Sequence, residues 1–245
     1  MTDGILARLR RAVADRGLRY AVRAGTQEIV EGVVSSYAFS KAFHSRRTFA
    51  FQGKRYRYLV HQYNSTWRTE RVVEVPIVWD IVQRSRGRRV LEVGNVLAHY
   101  FPVAHDRVDK YERAPGVINE DVVDYRPGKA YDLIVSISTL EHVGWDETPR
   151  DPDKILRALD NLARLAAPGG RIVVTLPLAY NPNVDAYLKD GRIAFAERLC
   201  LKRVSRDNRW EQVEWPEVQD ARYDTPFRRI NALVVGITDP VPPRA

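Results

Sequence analysis

Short, unbroken apolar runs alternate with a strongly periodic helix in the C-terminal two thirds of this chain, and that alternation most constrains its fold. Tyr131-Asp132-Leu133-Ile134-Val135-Ser136-Ile137 reads as a buried strand. Residues 154–165 place Ile155, Leu156, Leu159, Leu162 and Leu165 at helical spacing, and Pro168-Gly169-Gly170 follows as a helix stop. Arg171-Ile172-Val173-Val174-Thr175-Leu176 is strand-like again. Upstream, Arg89-Val90-Leu91-Glu92-Val93 ends in a glycine, and residues 107–109 and 116–118 are shorter candidates. Strands without polar alternation need cover on both faces, so the pattern predicts a parallel sheet in an α/β fold. Late strands are predicted over 199–204 and 231–237. No helix is read between them, so the last strand is expected in a hairpin at the sheet edge.

The first 87 residues differ in character. Ile5, Leu6, Leu9 and Val13 recur at helical spacing among arginines, and a second helix is predicted over 27–39. Residues 48–58 alternate bulky and polar types around Gln52-Gly53, the pattern of a β-hairpin. A further helix is predicted over 70–83, with Pro76 disturbing its middle or marking its start. The expected organisation is a basic N-terminal cap, 1–87, followed by a sheet domain, 88–245.

The formal charge of +8 is unevenly placed: residues 1–89 carry +11 and the remainder −3. Such a cap suits an acidic substrate, a nucleic acid or a membrane surface, or is simply a solvated face, since 32 of the 39 basic residues are arginine. The single cysteine, Cys200, excludes an intramolecular disulfide and a cysteine metal cage, and favours a reducing compartment. The first residues show no apolar signal region, and no apolar run approaches the ~18 residues of a membrane span. The expected location is cytoplasmic.

Open parallel sheets bind ligands at the carboxyl ends of their strands. Glu92-Val93-Gly94-Asn95 ends the first strand, and an acid about twenty residues beyond such a glycine turn can accept both hydroxyls of a ribose. Asp109 lies 17 residues after Glu92 and Glu112 lies 20 after it; both fit. Asp121 stands where it would reach an exocyclic adenine amine.

These pieces resemble the class I S-adenosylmethionine-dependent methyltransferases. The matching stretches are Val90-Leu91-Glu92-Val93-Gly94, the run from Tyr131 through Leu140-Glu141-His142-Val143, and Leu165-Ala166-Ala167-Pro168-Gly169-Gly170 with its following strand. The resemblance covers about residues 88–178, and the strand over 231–237 fits that family's antiparallel last strand. It implies a Rossmann-like, mostly parallel seven-stranded sheet with helices on both faces, and S-adenosyl-L-methionine as cofactor. Carried over, Glu92 and Gly94 flank the methionine moiety, Asp109 holds the ribose, Asp121 reaches the adenine, Val122 packs on its ring, and Ser136 lies under the methionine. Arg71 or Arg68, in the polar and aromatic segment 61–71, is placed for the methionine carboxylate; Thr66 as a helix cap is the structural alternative. The family's further glycines are missing after Gly94, so Asn95 is expected to supply a left-handed turn. Only 11 residues separate Asp109 from Asp121, little room for a helix.

Methyl transfer needs an aligned acceptor and often removal of its proton. His142, with Glu141 beside it, is the catalytic candidate; capping a turn is its structural alternative. A metal held by Glu141, His142, Asp146 and Glu147 is disfavoured, because adjacent residues rarely face one way and no second histidine stands at ligand spacing. Tyr180 and Asn181 are expected on the acceptor side, and Trp210, Trp215 and Tyr223 either on the acceptor or in the core. The expected reaction is O-methylation of a small-molecule or saccharide hydroxyl. A nucleic-acid methyltransferase is the alternative, although Leu140-Glu141-His142-Val143 stands where an Asn-Pro-Pro-aromatic motif would. A cofactor-binding scaffold without turnover is the third reading. A nicotinamide dehydrogenase is disfavoured because Gly-x-Gly-x-x-Gly is absent after the first strand.

Overall fold

The computed structural model describes residues 37–242. The helix expected over 5–13 and most of that over 27–39 lie outside them; α1, Tyr37–Phe43, occupies the end of the second. The hairpin forms as β1, Thr48–Phe51, and β2, Lys54–Arg57. Gln52 and Gly53 both take positive φ, 50° and 70°, the geometry that matches the twist of a two-residue hairpin. Phe49 and Tyr56 face each other across the ladder and stack at 5.6 Å.

Helix α2, Arg71–Arg84, carries Val72, Val73, Val75, Ile77 and Val78, a β-branched run of poor helix propensity. Burial overrides that preference: all five are fully buried, in a core shared with Phe51 of the hairpin and with Leu133, Val135 and Ile137 of the sheet. Pro76 neither breaks the helix nor marks its start. The carbonyl it leaves without a helical partner, that of Val72, accepts a hydrogen bond from the Leu59 amide at 3.0 Å.

The main strands are β3, Val90–Val93; β4, Asp106–Val108; β5, Val117–Ile118; β6, Tyr131–Ile137; β7, Ala166–Pro177; β8, Glu197–Arg203; β9, Trp210–Val213; and β10, Ala232–Ile237. They form one sheet in the order β5-β4-β3-β6-β7-β10-β8-β9. The first five are mutually parallel, and β10 runs antiparallel to both β7 and β8. The Rossmann-like α/β expectation holds, with two corrections. The sheet has eight strands rather than seven, because β9 adds an outer strand built around the buried Trp210. The last strand is inserted between β7 and β8 instead of lying at an edge; an apolar Ala232-Leu233-Val234-Val235 run, buried on both faces, belongs inside a sheet.

Helix α3, Lys154–Leu165, covers the face opposite α2 through Ile155, Ala158 and Leu162. It ends at Leu165, where Ala166 turns extended, so the Pro168-Gly169-Gly170 turn lies inside β7 rather than at the helix stop. Instead the Gly169 amide donates to the Val241 carbonyl at 2.7 Å, and a side chain at Gly170 would meet the Tyr131 carbonyl.

The remaining helix, α4, Pro182–Asp190, follows β7. Asn181 caps it, accepting from the Asn183 amide at 3.0 Å, and Gly191 closes it at φ 83°. In its first turn both carboxylate oxygens of Asp185 accept from the Ala179 amide, at 3.0 and 3.1 Å. Burial outweighs that bond and pushes the Asp185 carboxyl up to about 6. An acid with a raised native pKa destabilises the fold once it ionises, so its penalty is absent below pH 4, grows toward pH 6 and is full above. Asp185→Asn is therefore expected to stabilise the protein by about 1–2 kcal/mol at pH 7.5 and by nothing at pH 4, read as paired urea-unfolding curves. A gain independent of pH would refute that origin.

Candidate functional site

Where β3 and β4 end, their connections diverge, and a cavity of about 250 Å³ opens at the carboxyl edge of the sheet. Gly94, Val108, Asp109, Asp121, Val122 and His142 are among the residues that line it. Four predicted cofactor residues and one predicted catalytic residue therefore share one space. Glu92, Asn95, Ser136, Arg71 and Glu141 do not border it.

Glu92 is fully buried with both oxygens engaged by the chain. One accepts from the Val96 and Leu97 amides, each at 2.8 Å, and the other from His105 Nε2 at 2.8 Å. It thus fixes the turn leaving β3, and its carboxylate does not face the cavity. Gly94 adopts φ 89°, and its amide donates to the Val108 carbonyl at 2.8 Å, tying the turn to β4. A Cβ here would press into the Thr139 side chain, so the position demands glycine on two counts. Asn95 does not take the left-handed conformation expected of it. It bridges instead, accepting from Arg107 Nη1 at 2.8 Å and donating to Glu112 Oε1 at 2.6 Å. The turn needs no second glycine because the Glu92 carboxylate satisfies its amides.

Asp109 and Glu112 are placed differently relative to the cavity. Glu112 turns away toward Asn95 and His99. Asp109 borders the cavity, using Oδ1 to accept from the Tyr111 and Glu112 amides at 2.8 and 2.7 Å. Its Oδ2 has no hydrogen-bond partner among the described residues. Asp121 is less free: Oδ2 accepts from Lys154 at 2.6 Å and lies 2.9 Å from the Lys110 ammonium, and Glu147 contacts both lysines. Burial acts to raise the Asp121 pKa, but the two lysines outweigh it and hold the carboxyl below its usual range. Val122 is buried beside it. Ser136 lies fully buried inside β6, between Val93 and Val174, and its hydroxyl has no partner among the described residues.

At the ends of β6 and β7 a second polar group gathers. Arg71 is almost fully buried and donates to the Ile137 and Ser138 carbonyls, at 2.8 and 3.3 Å. It also pairs with Glu74 at 3.2 Å. The Glu74 carboxylate, fully buried, accepts from the Ser138 and Thr175 hydroxyls at 2.6 Å each. Arg68, the other arginine considered, is exposed and lies over the Trp67 ring. Thr66 caps no helix; its hydroxyl donates to the Leu59 carbonyl at 2.6 Å. Glu74 was not anticipated, although a lone acid within Val72-Val73-Glu74-Val75 is the mark of a buried, partnered carboxylate.

His142 stands in a short 3₁₀ turn, Leu140–His142, and is partly exposed. Its Nδ1 lies 2.6 Å from Asp146 Oδ2, which also accepts from the Tyr180 hydroxyl at 2.7 Å. The Tyr180 ring meets the imidazole edge-on at 4.6 Å. Burial raises Asp146, but the bonds from His142 and Tyr180 win and hold it low. An ionised Asp146 fixes the proton on Nδ1 and leaves Nε2 as an acceptor, 3.5 Å from Glu141 Oε1. Glu141 itself is buried, and Asn181 holds its carbonyl at 2.8 Å. Of the aromatics considered for an acceptor, Trp210 is core, Trp215 packs partly buried against the core, and Tyr223 is exposed. Among the described residues no three His, Cys, Asp or Glu side chains are grouped to hold a metal ion, and no helix is long and apolar enough to cross a membrane.

No protein-family model and no curated protein matches the chain. Solved structures with partial likeness include the N-methyltransferase NodS from Bradyrhizobium japonicum WM9 in complex with S-adenosyl-L-homocysteine, at 14% identity and TM-score 0.41, covering 71% of this chain and 92% of that one. TehB from Haemophilus influenzae matches at 12% identity and TM-score 0.41, covering 73% and 65%. The sugar N-methyltransferase KedS8 from Streptoalloteichus sp ATCC 53650 matches at 13% identity and TM-score 0.37, covering 79% and 99%. Likeness of this degree carries no argument about activity.

Proposed function

We propose that the chain is a class I S-adenosylmethionine-dependent methyltransferase acting on a small molecule. One observation carries this reading: the Gly94 turn, the uncommitted oxygen of Asp109 and the His142–Asp146 pair all border one cavity at the carboxyl edge of a parallel sheet. The residues suit the cofactor. Asp109 Oδ2 is an acceptor for a ribose hydroxyl, Val108 and Val122 offer apolar walls for a base, and Gly94 allows close approach to the backbone. S-adenosyl-L-methionine supplies, when bound, a methyl group on a positively charged sulfur that is already a good leaving group.

Two earlier assignments take a different form. Glu92 shapes the β3 turn and acts on a ligand only through Gly94. Asp121 meets an adenine amine only if Lys110, the more exposed of its two lysines, moves aside.

The chain's own task is alignment and proton removal. His142 Nε2 accepts the acceptor's proton while Asp146 and Tyr180 hold the ring. The acceptor's nucleophile is then a hydroxyl, or another heteroatom bearing a proton, on a small molecule or saccharide. A nucleic-acid acceptor is less favoured, since Arg47, Lys54 and Arg84 of the basic segment are paired with Asp207 and Asp80.

Thermal-shift titration with S-adenosylmethionine, S-adenosylhomocysteine and NAD in parallel tests the reading. A ligand at about 100 times its Kd adds roughly 2.7 kcal/mol, a Tm rise of about 5–10 °C at this chain length. Both adenosyl-sulfur ligands are expected to give that rise and NAD none. A rise with NAD alone, or with no ligand, would overturn it.

A further inference from the structure

One wall of the cavity that Asp109 and His142 border is an ion-pair group. Lys110, Asp121 and Glu147 all line the cavity there. The Lys110 ammonium lies 2.9 Å from Asp121 Oδ2 and donates to Glu147 Oε2 at 3.0 Å. Lys154, from the first turn of α3, donates to the same two oxygens at 2.6 Å each. Asp121 Oδ1 is engaged as well, accepting from the Val123 amide at 3.1 Å. Two ammonium groups thus balance two carboxylates. Of the two cations, Lys154 is 13% exposed and does not border the cavity, whereas Lys110 is 37% exposed and does.

A purine resting on Val122 brings its polar edge to this group, because Asp121 precedes Val122 and Lys110 follows Asp109, and all four line the cavity. Adenine offers an amine that donates and ring nitrogens that accept. For the amine to take Asp121 Oδ2, it must displace Lys110. That exchange gives up a charge-assisted bond for one from a neutral donor, about half as strong, and leaves two carboxylates facing one ammonium. The other arrangement keeps every ion pair. An ammonium has three N–H donors and no lone pair. Asp121 and Glu147 answer two of them, and the third serves a ring nitrogen of the base. The wall that a base meets is therefore a donor, not the acceptor that Asp121 alone would make.

Resting on the methyltransferase reading, we infer that Lys110 selects the cofactor's purine by donating to a ring nitrogen of the base, with Asp121 and Glu147 as positioning residues that hold its ammonium at the cavity wall. The electrostatics agree. The bond to Asp121 first, with that to Glu147, outweighs burial and raises the Lys110 pKa. Burial acts to raise Glu147 as it does Asp121, and the same two lysines hold it low. Lys110, Asp121 and Glu147 therefore stay charged throughout the neutral range, and the wall keeps its donor character there.

The test is calorimetric titration of the whole protein with S-adenosylhomocysteine and with its 1-deaza, 3-deaza and 7-deaza analogues, each of which replaces one ring nitrogen by C–H. One of the three is expected to bind the wild-type protein at least tenfold more weakly than the parent, the scale of one hydrogen bond from a charged donor. Lys110→Met is expected to erase that difference. If no analogue loses tenfold on the wild-type protein, or if the loss persists in Lys110→Met, the inference is overturned. Tighter binding of S-adenosylhomocysteine to Lys110→Met than to the wild-type protein would overturn it too, because the lysine would then be a group that the base pushes aside. Lys154 keeps both acids paired in the variant, so it is expected to fold, and its Tm without ligand checks that. Failure of S-adenosylhomocysteine to bind the wild-type protein would instead remove the methyltransferase reading beneath the inference.

Discussion

Arg71→Ala is expected to destabilise the protein by about 3–5 kcal/mol, the usual consequence of removing one partner from a buried ion pair. At about 2–4 °C per kcal/mol this is a fall in Tm of roughly 6–20 °C. The side chain bridges two strand-end carbonyls and is the cation paired with Glu74. Without it, Glu70 and Glu74 face each other across low dielectric. The Glu70 carboxyl, already raised by burial and by Glu74, then rises further, and stability is lost where Glu70 would otherwise be ionised. The deficit is thus expected to be largest at pH 8 and to shrink toward pH 5.5, where Glu70 is protonated. Arg71→Lys should fall between, because a single ammonium cannot reach both carbonyls and Glu74 in one plane. Urea unfolding of the three proteins at the two pH values decides the matter. A Tm for Arg71→Ala within 1 °C of wild type would show that the guanidinium does not hold the strand ends together.

The second large effect concerns turnover. His142→Ala is expected to lower kcat by about 10²–10⁴ while leaving affinity for S-adenosylhomocysteine within threefold. The histidine lies partly exposed at the cavity wall, and its packing contribution is small, so folding should survive. Asp146→Asn tests its orientation. The imidazole would lose the partner that fixes the proton on Nδ1, and a smaller loss of kcat, about 10-fold, is expected. Tyr180→Phe keeps the ring edge and removes only the bond to Asp146. Unchanged kcat in His142→Ala, measured as S-adenosylhomocysteine formed on the first acceptor that turns over, would leave proton removal to solvent.

The strands that proved easiest to read are those whose burial is total. Residues 131–137 and the helix Lys154–Leu165 stand where periodicity placed them, because most of the side chains they bury are apolar. Strand β9 escaped because Trp210-Glu211-Gln212-Val213 is an edge strand, with its middle residues exposed. Helix α4 was not read from the sequence; Pro182 stands in its first turn, where a proline starts a helix. Within the site, residue type and spacing together with the family resemblance singled out Gly94, Asp109, Asp121, Val122 and His142, which line one cavity. They did not show which polar atoms the chain uses on itself. Glu92 looks ligand-facing until its oxygens are found on Val96, Leu97 and His105, contacts set by a turn with no distinctive sequence signature. Glu74 meets Ser138 and Thr175 across 64 and 101 residues of chain, a pairing that no local pattern shows.

The placement of β10 between β7 and β8 bears on synthesis. A ribosome that has released everything through Arg203 has made two strands, β7 and β8, whose facing edges are still unpaired. The wedge that joins them, Ala232–Ile237, is made only after both. The nascent chain therefore waits with two open backbone ladders, each competent to capture a neighbouring polypeptide. Closure of the sheet therefore waits until β10 has been made, after both of the strands it joins.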